Sequence, residues 1–334
     1  MITKRRVTVT GGAGYIGSIT SMRLLQQGFD VQIIDNLSTG NSFSLNKLCN
    51  AKICVGDIRD ERFLSSCLEQ FKPNAVLHFA AKAYVGESIN APLSYFENNV
   101  SGSISLLKVA IRTGIRNFVF SSTCAVYGNS SNFPVDESCS LAPLSPYGWS
   151  KLATEQLLRD LATCNQINSI ALRYFNAAGA SDDGELGEIH NPETHLIPLA
   201  LRATSPLGVP LKVFGVDYQT RDGSCERDFL HVEDLALAHQ IAVEKLCDFD
   251  TVGSFEALNL GCGQPHSVLS VIENVERVTN RFVKTEISHR REGDAVSIYA
   301  DARNAGISLG WKPTRDLELM IRSAYDFEKA YGSL

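Results

Sequence analysis

The sequence predicts an α/β protein built on a doubly wound parallel sheet, followed by a smaller, mixed α/β C-terminal domain. Three observations support this: the chain has 334 residues, short apolar runs recur along its first half, and a helix-length segment follows each run. The runs at 7–10, 31–35, 53–55, 75–79 and 118–121 are typical of buried strands. Strands that alternate with helices form right-handed crossovers, which place a ligand crevice at the carboxyl ends of a parallel sheet.

The pattern changes after residue 176. Residues 177–210 are rich in Gly, Pro, Asp and Glu and lack strand periodicity. We therefore predict a first domain at 1–176 and a second, ligand-covering domain at 177–334. Segment 232–263, where helical spacing is followed by an apolar strand, is a candidate to rejoin the first sheet.

Composition argues against several classes of protein. The chain is 44% hydrophobic and 20% charged, as ordinary globular proteins are, and its net charge of −6 argues against general nucleic-acid binding. No apolar run approaches the roughly 18 residues that span a bilayer, and the start of the chain leads straight into a strand without a signal-peptide core. We expect a cytoplasmic protein with no membrane partner.

Cysteine and histidine spacings predict no metal site. The nine cysteines are scattered singly, with no CxxC pair, and the seven histidines form no HExxH motif. Reduced thiols fit the cytosol.

The first strand leads into a glycine-rich turn, Gly11-Gly12-Ala13-Gly14-Tyr15-Ile16-Gly17. Glycines at this spacing let backbone amides approach a pyrophosphate at a helix N-terminus, where the helix dipole favours negative charge. A turn of this composition without a ligand is the alternative, but its position between a strand and a helix favours a Rossmann-type dinucleotide site.

Acidic residues end the next two strands. Asp35 lies near the expected distance of about 20 residues from the glycines, where a carboxylate accepts hydrogen bonds from the adenosine ribose. Asn36, rather than an arginine, follows it, so NAD is favoured over NADP; a strand-end turn is the alternative role for Asp35. Asp57 is a candidate for the adenine amino group, with helix capping as its alternative.

A Tyr-x-x-x-Lys pair, Tyr147 and Lys151, opens a helical segment. Residues at i and i+4 share a helix face, so the ammonium can lie near the phenol oxygen. A nearby cation stabilises a phenolate, and Lys151 together with a positively charged nicotinamide is expected to lower the pKa of Tyr147. Thr123, at the end of the fifth strand, is the candidate to hydrogen-bond the oxygen being oxidised. Ser121 and Ser122 have ordinary turn chemistry as their alternative.

These motifs resemble the UDP-galactose (UDP-glucose) 4-epimerases of the extended short-chain dehydrogenase/reductase family. The resemblance covers nearly the whole chain and includes Asp35-Asn36-Leu37, Gly56-Asp57-Ile58-Arg59, His78-Phe79-Ala80-Ala81, Val85-Gly86-Glu87-Ser88, Asn98-Asn99-Val100, Arg173-Tyr174-Phe175-Asn176 and Arg290-Arg291-Glu292-Gly293-Asp294. It implies 4-epimerisation of a UDP-sugar, most simply UDP-glucose and UDP-galactose, through a transient 4-keto sugar with NAD retained.

The resemblance also implies roles for individual residues. Tyr147 is the acid–base group, assisted by Lys151 and Thr123. The implied NAD contacts are Gly11, Gly14, Tyr15, Ile16, Gly17, Asp35, Asn36, Asp57, Ile58, Phe79, Ala80, Ala81, Asn98, Ser121, Tyr147, Lys151 and Tyr174. The implied UDP-sugar contacts are Thr123, Tyr147, Asn176, His195, Lys212, Phe214, Arg227, Phe229, Arg291, Asp294 and Ile298. A NAD-binding first domain, a nucleotide-sugar-binding second domain and a homodimer follow from the same resemblance.

Two departures and two alternatives accompany this assignment. Lys82 stands one position before the family's usual lysine, with Ala83 in its place, which puts a nicotinamide-side contact in doubt. Ile298 is of middling bulk at a position that limits N-acetyl groups, so unacetylated sugars are favoured. The UDP-xylose/UDP-arabinose pair is the alternative substrate. A noncatalytic NAD-binding scaffold or sensor is the alternative of another class.

Overall fold

The computed structural model describes residues 5–130, 133–291 and 295–332. In chain order the strands are β1 (Arg6–Thr10), β2 (Asp30–Asp35), β3 (Lys52–Val55), β4 (Ala75–His78), β5 (Asn117–Thr123), β6 (Asn168–Tyr174), β7 (Asn176–Ala178), β8 (Leu211–Phe214), β9 (Glu226–His231), β10 (Phe255–Leu260), β11 (Pro265–Ser267), β12 (Thr285–Ser288) and β13 (Ser297–Ile298).

The helices lie between and after these strands. They are α1 (Tyr15–Gln26), α2 (Ser42–Lys47), α3 (Glu61–Phe71), α4 (Val85–Asn90), α5 (Pro92–Tyr95), α6 (Gly102–Arg112), α7 (Pro146–Thr163), α8 (Leu196–Ala203), α9 (Val232–Cys247), α10 (Val268–Thr279), α11 (Arg303–Leu309) and α12 (Leu317–Tyr331). A π-helical segment, Phe96–Ser101, joins α5 to α6, and a 3₁₀ turn, Cys124–Val126, follows β5.

Seven parallel strands form the main sheet in the order β3-β2-β1-β4-β5-β6-β10. The direction of winding reverses between β1 and β4, and a crevice opens at such a switch point. The predicted doubly wound fold is confirmed. Strand β10 pairs in parallel with β6, which brings the 255–260 segment into this sheet.

Alternate residues of the strands supply two apolar layers. Val9 and Val119 belong to a core shared with α1 and α9, whereas Phe118 and Phe120 belong to a core shared with α3, α6 and α7. Successive side chains of a strand point to opposite faces, so a sheet covered on both sides needs apolar residues at nearly every position. Their near-continuous apolar character is what made these strands predictable.

Strand β6 is the one strand of the sheet's centre that the apolar pattern did not predict. Asn168, Ser169 and Arg173 are all buried in it, so polar residues interrupt the apolar run. Arg173 is tolerated because Glu155 on α7 pairs with it at 2.6 Å, and Asn168 because its amide oxygen accepts backbone bonds from residues 253 and 254.

The second half builds a smaller layer beside the carboxyl ends of the sheet. A four-stranded sheet contains β7, β9, β11 and β13, and β8 pairs with β12. Helices α8, α10 and α12 pack against one another around a separate apolar core. Within 5–130, 133–291 and 295–332, no helix combines the length and apolarity needed to cross a bilayer.

Candidate active site

The glycine-rich turn joins β1 to α1 at the sheet's switch point. Gly11 has φ +74°, and a Cβ on it would lie 2.5 Å from the backbone nitrogen of Ala80. A Cβ on Gly17 would lie 2.2 Å from the carbonyl oxygen of Gly11. Gly14 begins the helix without a side-chain cap, so the first-turn amides are left for another acceptor. Gly11, Gly14, Tyr15, Ile16 and Gly17 all line one cavity.

Asp35 lies at the neighbouring strand end, beside this turn. Its carboxylate is 8% exposed and accepts the backbone amides of Ala13 at 2.9 Å and Leu37 at 2.8 Å. Burial raises its pKa, while these two hydrogen bonds oppose the rise. The carboxylate therefore holds the glycine-rich turn against the β2 end and faces a cavity beside it.

Asp57 does not cap a helix. Asp60 caps α3 instead, accepting the amides of Arg62 and Phe63. The Asp57 carboxylate is held by Arg59, at 2.9 and 2.8 Å, and by the Asn36 amide at 3.0 Å. The Arg59 guanidinium keeps the pKa of Asp57 well below its usual range.

The same cavity is also lined by the segment after β3, the β4 end and the π-helical segment. Ile58, Phe79, Ala80, Ala81 and Asn98 line it. Asn99, the next residue along, was not predicted from the sequence. Its side-chain oxygen accepts a hydrogen bond from the Lys82 backbone amide at 2.8 Å. Its side-chain nitrogen donates to the Lys82 carbonyl at 3.0 Å and to the Ser150 hydroxyl at 2.9 Å. Asn99 thus fixes the 79–83 loop to helix α7.

Lys82 and Ala83 both line the cleft, so the departure noted in the sequence lies at the site itself. The Lys82 ammonium lies 3.4 Å from both Glu87 and Ser94. Its charge is therefore shared with a neighbouring glutamate.

Helix α7 presents Tyr147 and Lys151 to the cleft from its first two turns. Ser145 caps the helix by accepting the amide of Gly148, and Pro146 occupies the first helical position. Tyr147 is 9% exposed and Lys151 2%. The Lys151 Nζ atom lies 5.9 Å from the Tyr147 ring centroid, and Thr123 lines the same cavity, with its hydroxyl accepting the backbone amide of Ala125 at 3.1 Å.

The electrostatics of this pair differ from the sequence expectation. Burial raises the pKa of Tyr147 to about 12, even though the Thr123 hydroxyl opposes the rise. Burial also lowers the pKa of Lys151 to about 7, partly offset by Glu155. In the chain without a cofactor, Lys151 therefore does not lower the pKa of Tyr147. Desolvation favours the neutral form of the Lys151 amine, so less positive charge lies beside the phenol.

Ser121 and Tyr174 close the inner end of the cleft. Their hydroxyls hydrogen-bond each other, and both residues line the same cavity as Tyr147. Ser122 faces away and bonds Glu155.

A second cavity continues from the first toward the C-terminal layer. Asn176, Glu188 and His195 line both cavities, and further predicted residues, Lys212, Phe214, Arg227, Phe229 and Arg291, line the second. The Arg291 guanidinium lies 3.9 Å from the Phe214 ring centroid. Arg227 is held by the carbonyl oxygens of Glu226 and Ala295, each at 2.8 Å.

Ile298 is not among the residues that line the two cavities. Ile298 is 7% exposed and belongs to an apolar cluster with Tyr127 and Phe175, of which Phe175 lines the first cavity. Asn176 donates from its amide to the Asp228 carbonyl at 2.8 Å. Asp294 lies outside the described residues.

Four residues between the cavities form a group that the sequence prediction did not recognise, although it named His195 as a UDP-sugar contact. Glu188, His190, Glu193 and His195, here called the Glu-His cluster, place one ligand atom each within 4.8 Å of the others. Burial lowers the pKa of the imidazoles, but the glutamates outweigh it and raise the pKa of His190 to about 9 and of His195 to about 10. The spacing Glu-x-His-x-x-Glu-x-His was the available signal.

The fold and cleft define a dinucleotide-binding α/β protein with a buried tyrosine–lysine pair beside a second, cationic cavity. A family model described as the NAD dependent epimerase/dehydratase family matches residues 7–261. The chain belongs to this family, and the resemblance predicted from its motifs is confirmed.

Individual relatives match over nearly the full length. A UDP-glucose 4-epimerase of Rhizobium leguminosarum bv. trifolii is 46% identical over 321 residues, 96% of each chain. The solved UDP-glucose-4-epimerase of Stenotrophomonas maltophila, with bound NAD and formylated UDP-arabinopyranose, is 40% identical with a TM-score of 0.94, covering 98% of this chain and 99% of that one. The UDP-glucose 4-epimerase of Brucella ovis, in complex with NAD, is 44% identical with a TM-score of 0.91, covering 96% and 97%.

Proposed function

We propose that this chain is a NAD-dependent UDP-sugar 4-epimerase that interconverts UDP-glucose and UDP-galactose. The observation that carries the proposal is that Thr123, Tyr147 and Lys151 all line the glycine-lined cavity, which shares Asn176 and Glu188 with the cationic one. The named epimerases that this chain resembles over nearly its full length support it.

The residues present fit NAD. The uncapped first turn of α1 suits a pyrophosphate, and a Cβ at Gly17 would strike the turn that has to cradle it. The Asp35 carboxylate suits a ribose and disfavours a 2′-phosphate. NAD, when bound, accepts the hydride from C4 of the sugar and returns it to the opposite face.

The protein's own part in the reaction is proton transfer and positioning. Tyr147, held as a phenolate by the positive charges of Lys151 and of NAD when bound, would take the proton of the 4-hydroxyl and later return one, so the 4-keto sugar forms and is reduced with no net oxidation. Thr123, which lines the same cavity as Tyr147, orients the same oxygen. Lys151 holds the nicotinamide ribose and adds positive charge beside the phenol.

The second domain, 177–334, is proposed to bind the nucleotide, with 232–263 returning to the NAD-binding domain at 1–176. Arg227 and Arg291 suit a diphosphate, because guanidinium groups match phosphate geometry. Asn176 completes the proposed diphosphate contacts, and His195 is a further proposed contact of the UDP-sugar. Lys212, Phe214, Phe229 and Asp294 are proposed to line the uridine, and Ile298 to limit space at C2.

A pentose pair is the second candidate. The Stenotrophomonas maltophila enzyme was solved with a formylated UDP-arabinopyranose, which favours testing UDP-arabinopyranose and UDP-xylose here. Purified chain, with no NAD added, is to be incubated separately with UDP-galactose and UDP-arabinopyranose, and the epimers separated by anion-exchange chromatography. Faster formation of UDP-glucose supports the hexose assignment, and faster formation of UDP-xylose replaces it with the pentose assignment. No product, even after NAD is supplied, would leave a noncatalytic scaffold or a different sugar.

A homodimer is part of the proposal. Ile89 is 61% exposed, Leu93 85% and Trp149 49%, and these apolar side chains lie on helices α4, α5 and α7. Light scattering should give the mass of a dimer for the wild type and of a monomer for Leu93→Glu.

A cytoplasmic location is also part of the proposal. The nine free cysteines of this chain support it, because reduced thiols are typical of the cytosol.

A further inference from the structure

The Glu-His cluster brings two imidazoles and two carboxylates to one point. His190 Nδ1 and His195 Nδ1 both face Glu188 Oε1, at 3.1 and 2.7 Å. Glu193 approaches the same nitrogens, with Oε2 3.7 Å from His190 and Oε1 2.9 Å from His195. The two imidazole centroids are 5.0 Å apart.

Direct ion pairing leaves part of this group unsatisfied. The side chains of Glu188 and Glu193 are only 7% and 2% exposed. Even so, Glu193 Oε2 has no hydrogen-bond partner among the residues the structure describes, and the 3.1 Å contact of His190 Nδ1 with Glu188 Oε1 lacks the direction of a hydrogen bond. A buried carboxylate oxygen without a donor, beside a buried ring nitrogen whose contacts are poorly directed, is costly, which points to a missing ligand between them.

We propose that Glu188, His190, Glu193 and His195 bind one divalent first-row metal ion, of which Zn²⁺ is the best match. Two imidazole nitrogens and two carboxylate oxygens are ligands that Zn²⁺ accepts, and four-coordinate sites with bonds of about 2.0–2.2 Å have ligand atoms roughly 3.3–3.6 Å apart. The His–Glu separations of 2.7–3.7 Å span that range and the four ligand atoms lie within 4.8 Å of one another, so shifts of about 1 Å complete the site. Metal binding displaces the protons of the two imidazoles to solvent, and the ion's charge then balances the two carboxylates in their place.

The surroundings hold the ligands in place. Glu193 Oε1 accepts the backbone amides of Thr194 at 2.7 Å and His195 at 2.8 Å, which fixes its carboxylate. The Tyr84 ring lies 5.8 Å from the His190 ring, edge to face. Such supporting contacts orient metal ligands before the ion arrives.

The location gives the ion a structural consequence. Glu188 and His195 line both cavities, and the four ligands lie within eight consecutive residues. A bound ion therefore fixes the 188–195 segment at the neck between the two cavities. This inference rests on the ligand geometry and not on the proposed reaction.

The test measures metal directly. Full-length chain is treated with EDTA, dialysed into metal-free buffer and titrated with ZnCl₂ by calorimetry, with bound zinc counted by plasma mass spectrometry. Glu193→Gln and His190→Gln each remove one ligand with little change of volume, and exposed His289→Gln is the matched control. We expect one zinc per wild-type chain and per control chain, and at least tenfold weaker binding in both ligand variants.

Cobalt keeps the proposal testable should a variant fail to fold. Co²⁺ bound to the wild-type chain should give the intense visible absorption of a four-coordinate site, and added Zn²⁺ should abolish it. Binding that is equal in the wild type and both ligand variants, or a wild-type chain that retains no zinc and gives only octahedral Co²⁺ spectra, would show that the cluster is an ion-pair network alone. Neither readout requires epimerase activity.

Discussion

The Lys151 ammonium donates a 2.7 Å hydrogen bond to the backbone carbonyl of Ser121, which ties the first turns of α7 to the carboxyl end of β5. Tyr147 lies one turn earlier on the same helix face, and Thr123 ends the same strand. Strand and helix thus position the three proposed catalytic side chains through one backbone contact. The chemistry is assigned to rigid elements and not to a mobile loop.

Tyr147→Phe should lower the epimerisation rate by roughly 100- to 10,000-fold, because it removes the only proposed proton acceptor at C4. The ring packing is kept, so unfolding temperature and NAD content should match the wild type. The measurement is product formation from UDP-galactose, with Tyr325→Phe on α12 as the control. Near wild-type turnover by the Tyr147→Phe variant would refute the assignment of the acid–base group.

Lys151→Met should make the stability of the NAD-free chain less dependent on pH. The folded pKa of about 7 lies below the unfolded value of 10.5, so the unfolded chain binds more protons between these values. Burial of the charged lysine therefore lowers the free energy of unfolding by its full amount below pH 7, and by less and less as the pH rises toward 10.5. The measurement is urea unfolding of both proteins at pH 6 and at pH 9. The free energy of unfolding of the variant minus that of the wild type should be about 2–3 kcal/mol lower at pH 9 than at pH 6.

The lost hydrogen bond to Ser121 is common to both pH values, so the difference isolates the charge. Lys108→Met is the matched control, because its side chain is 64% exposed. The same pH difference in Lys108→Met, or none in Lys151→Met, would contradict the buried-lysine explanation.

Gly17→Ala should weaken NAD binding by at least tenfold, because its Cβ would lie 2.2 Å from the Gly11 carbonyl oxygen and displace the turn. The control is Gly306→Ala on α11, where the nearest heavy atom to the new Cβ is 3.6 Å away. Retained NAD is measured by absorbance after denaturation of each purified chain. Equal NAD content in both variants would rule out a close-packed cofactor turn.

Asp35→Asn should also weaken NAD binding, by roughly 10- to 100-fold. An amide NH₂ would face the backbone amide of either Ala13 or Leu37, leaving a buried donor unpaired at a cost of about 1–3 kcal/mol. Asp30→Asn, exposed at the other end of β2, is the control. Calorimetric titration of NAD into stripped chain gives the comparison, and unchanged affinity in Asp35→Asn would remove this residue from the site.

Glu155→Gln should destabilise the chain by about 3–5 kcal/mol, because it leaves the Arg173 guanidinium buried without its carboxylate. Glu318→Gln breaks the exposed pair with Arg277 and should cost less than about 1 kcal/mol. Urea unfolding of both variants gives the comparison. Similar small losses in the two would show that the buried pair is not structural.

The sequence alone determined the features that depend on local pattern. The five apolar runs, the glycine turn and the Tyr147–Lys151 spacing are each contained within a few residues, and a near-continuous apolar run has few outcomes besides a buried strand. The doubly wound sheet and the glycine-lined crevice follow from that order. Residues distant in sequence, such as Arg227 and Arg291, were reached only through family resemblance.

Tertiary structure decided what depends on burial and long-range partners. Strand β6 forms because Glu155, 18 residues earlier, neutralises Arg173, which no apolar pattern shows. Burial, not the nearby lysine, dominates the pKa of Tyr147 in the chain alone. The Glu-His cluster is close in sequence, yet only folding turns its four ligand atoms toward one point, because side-chain direction in an irregular segment is set by its neighbours.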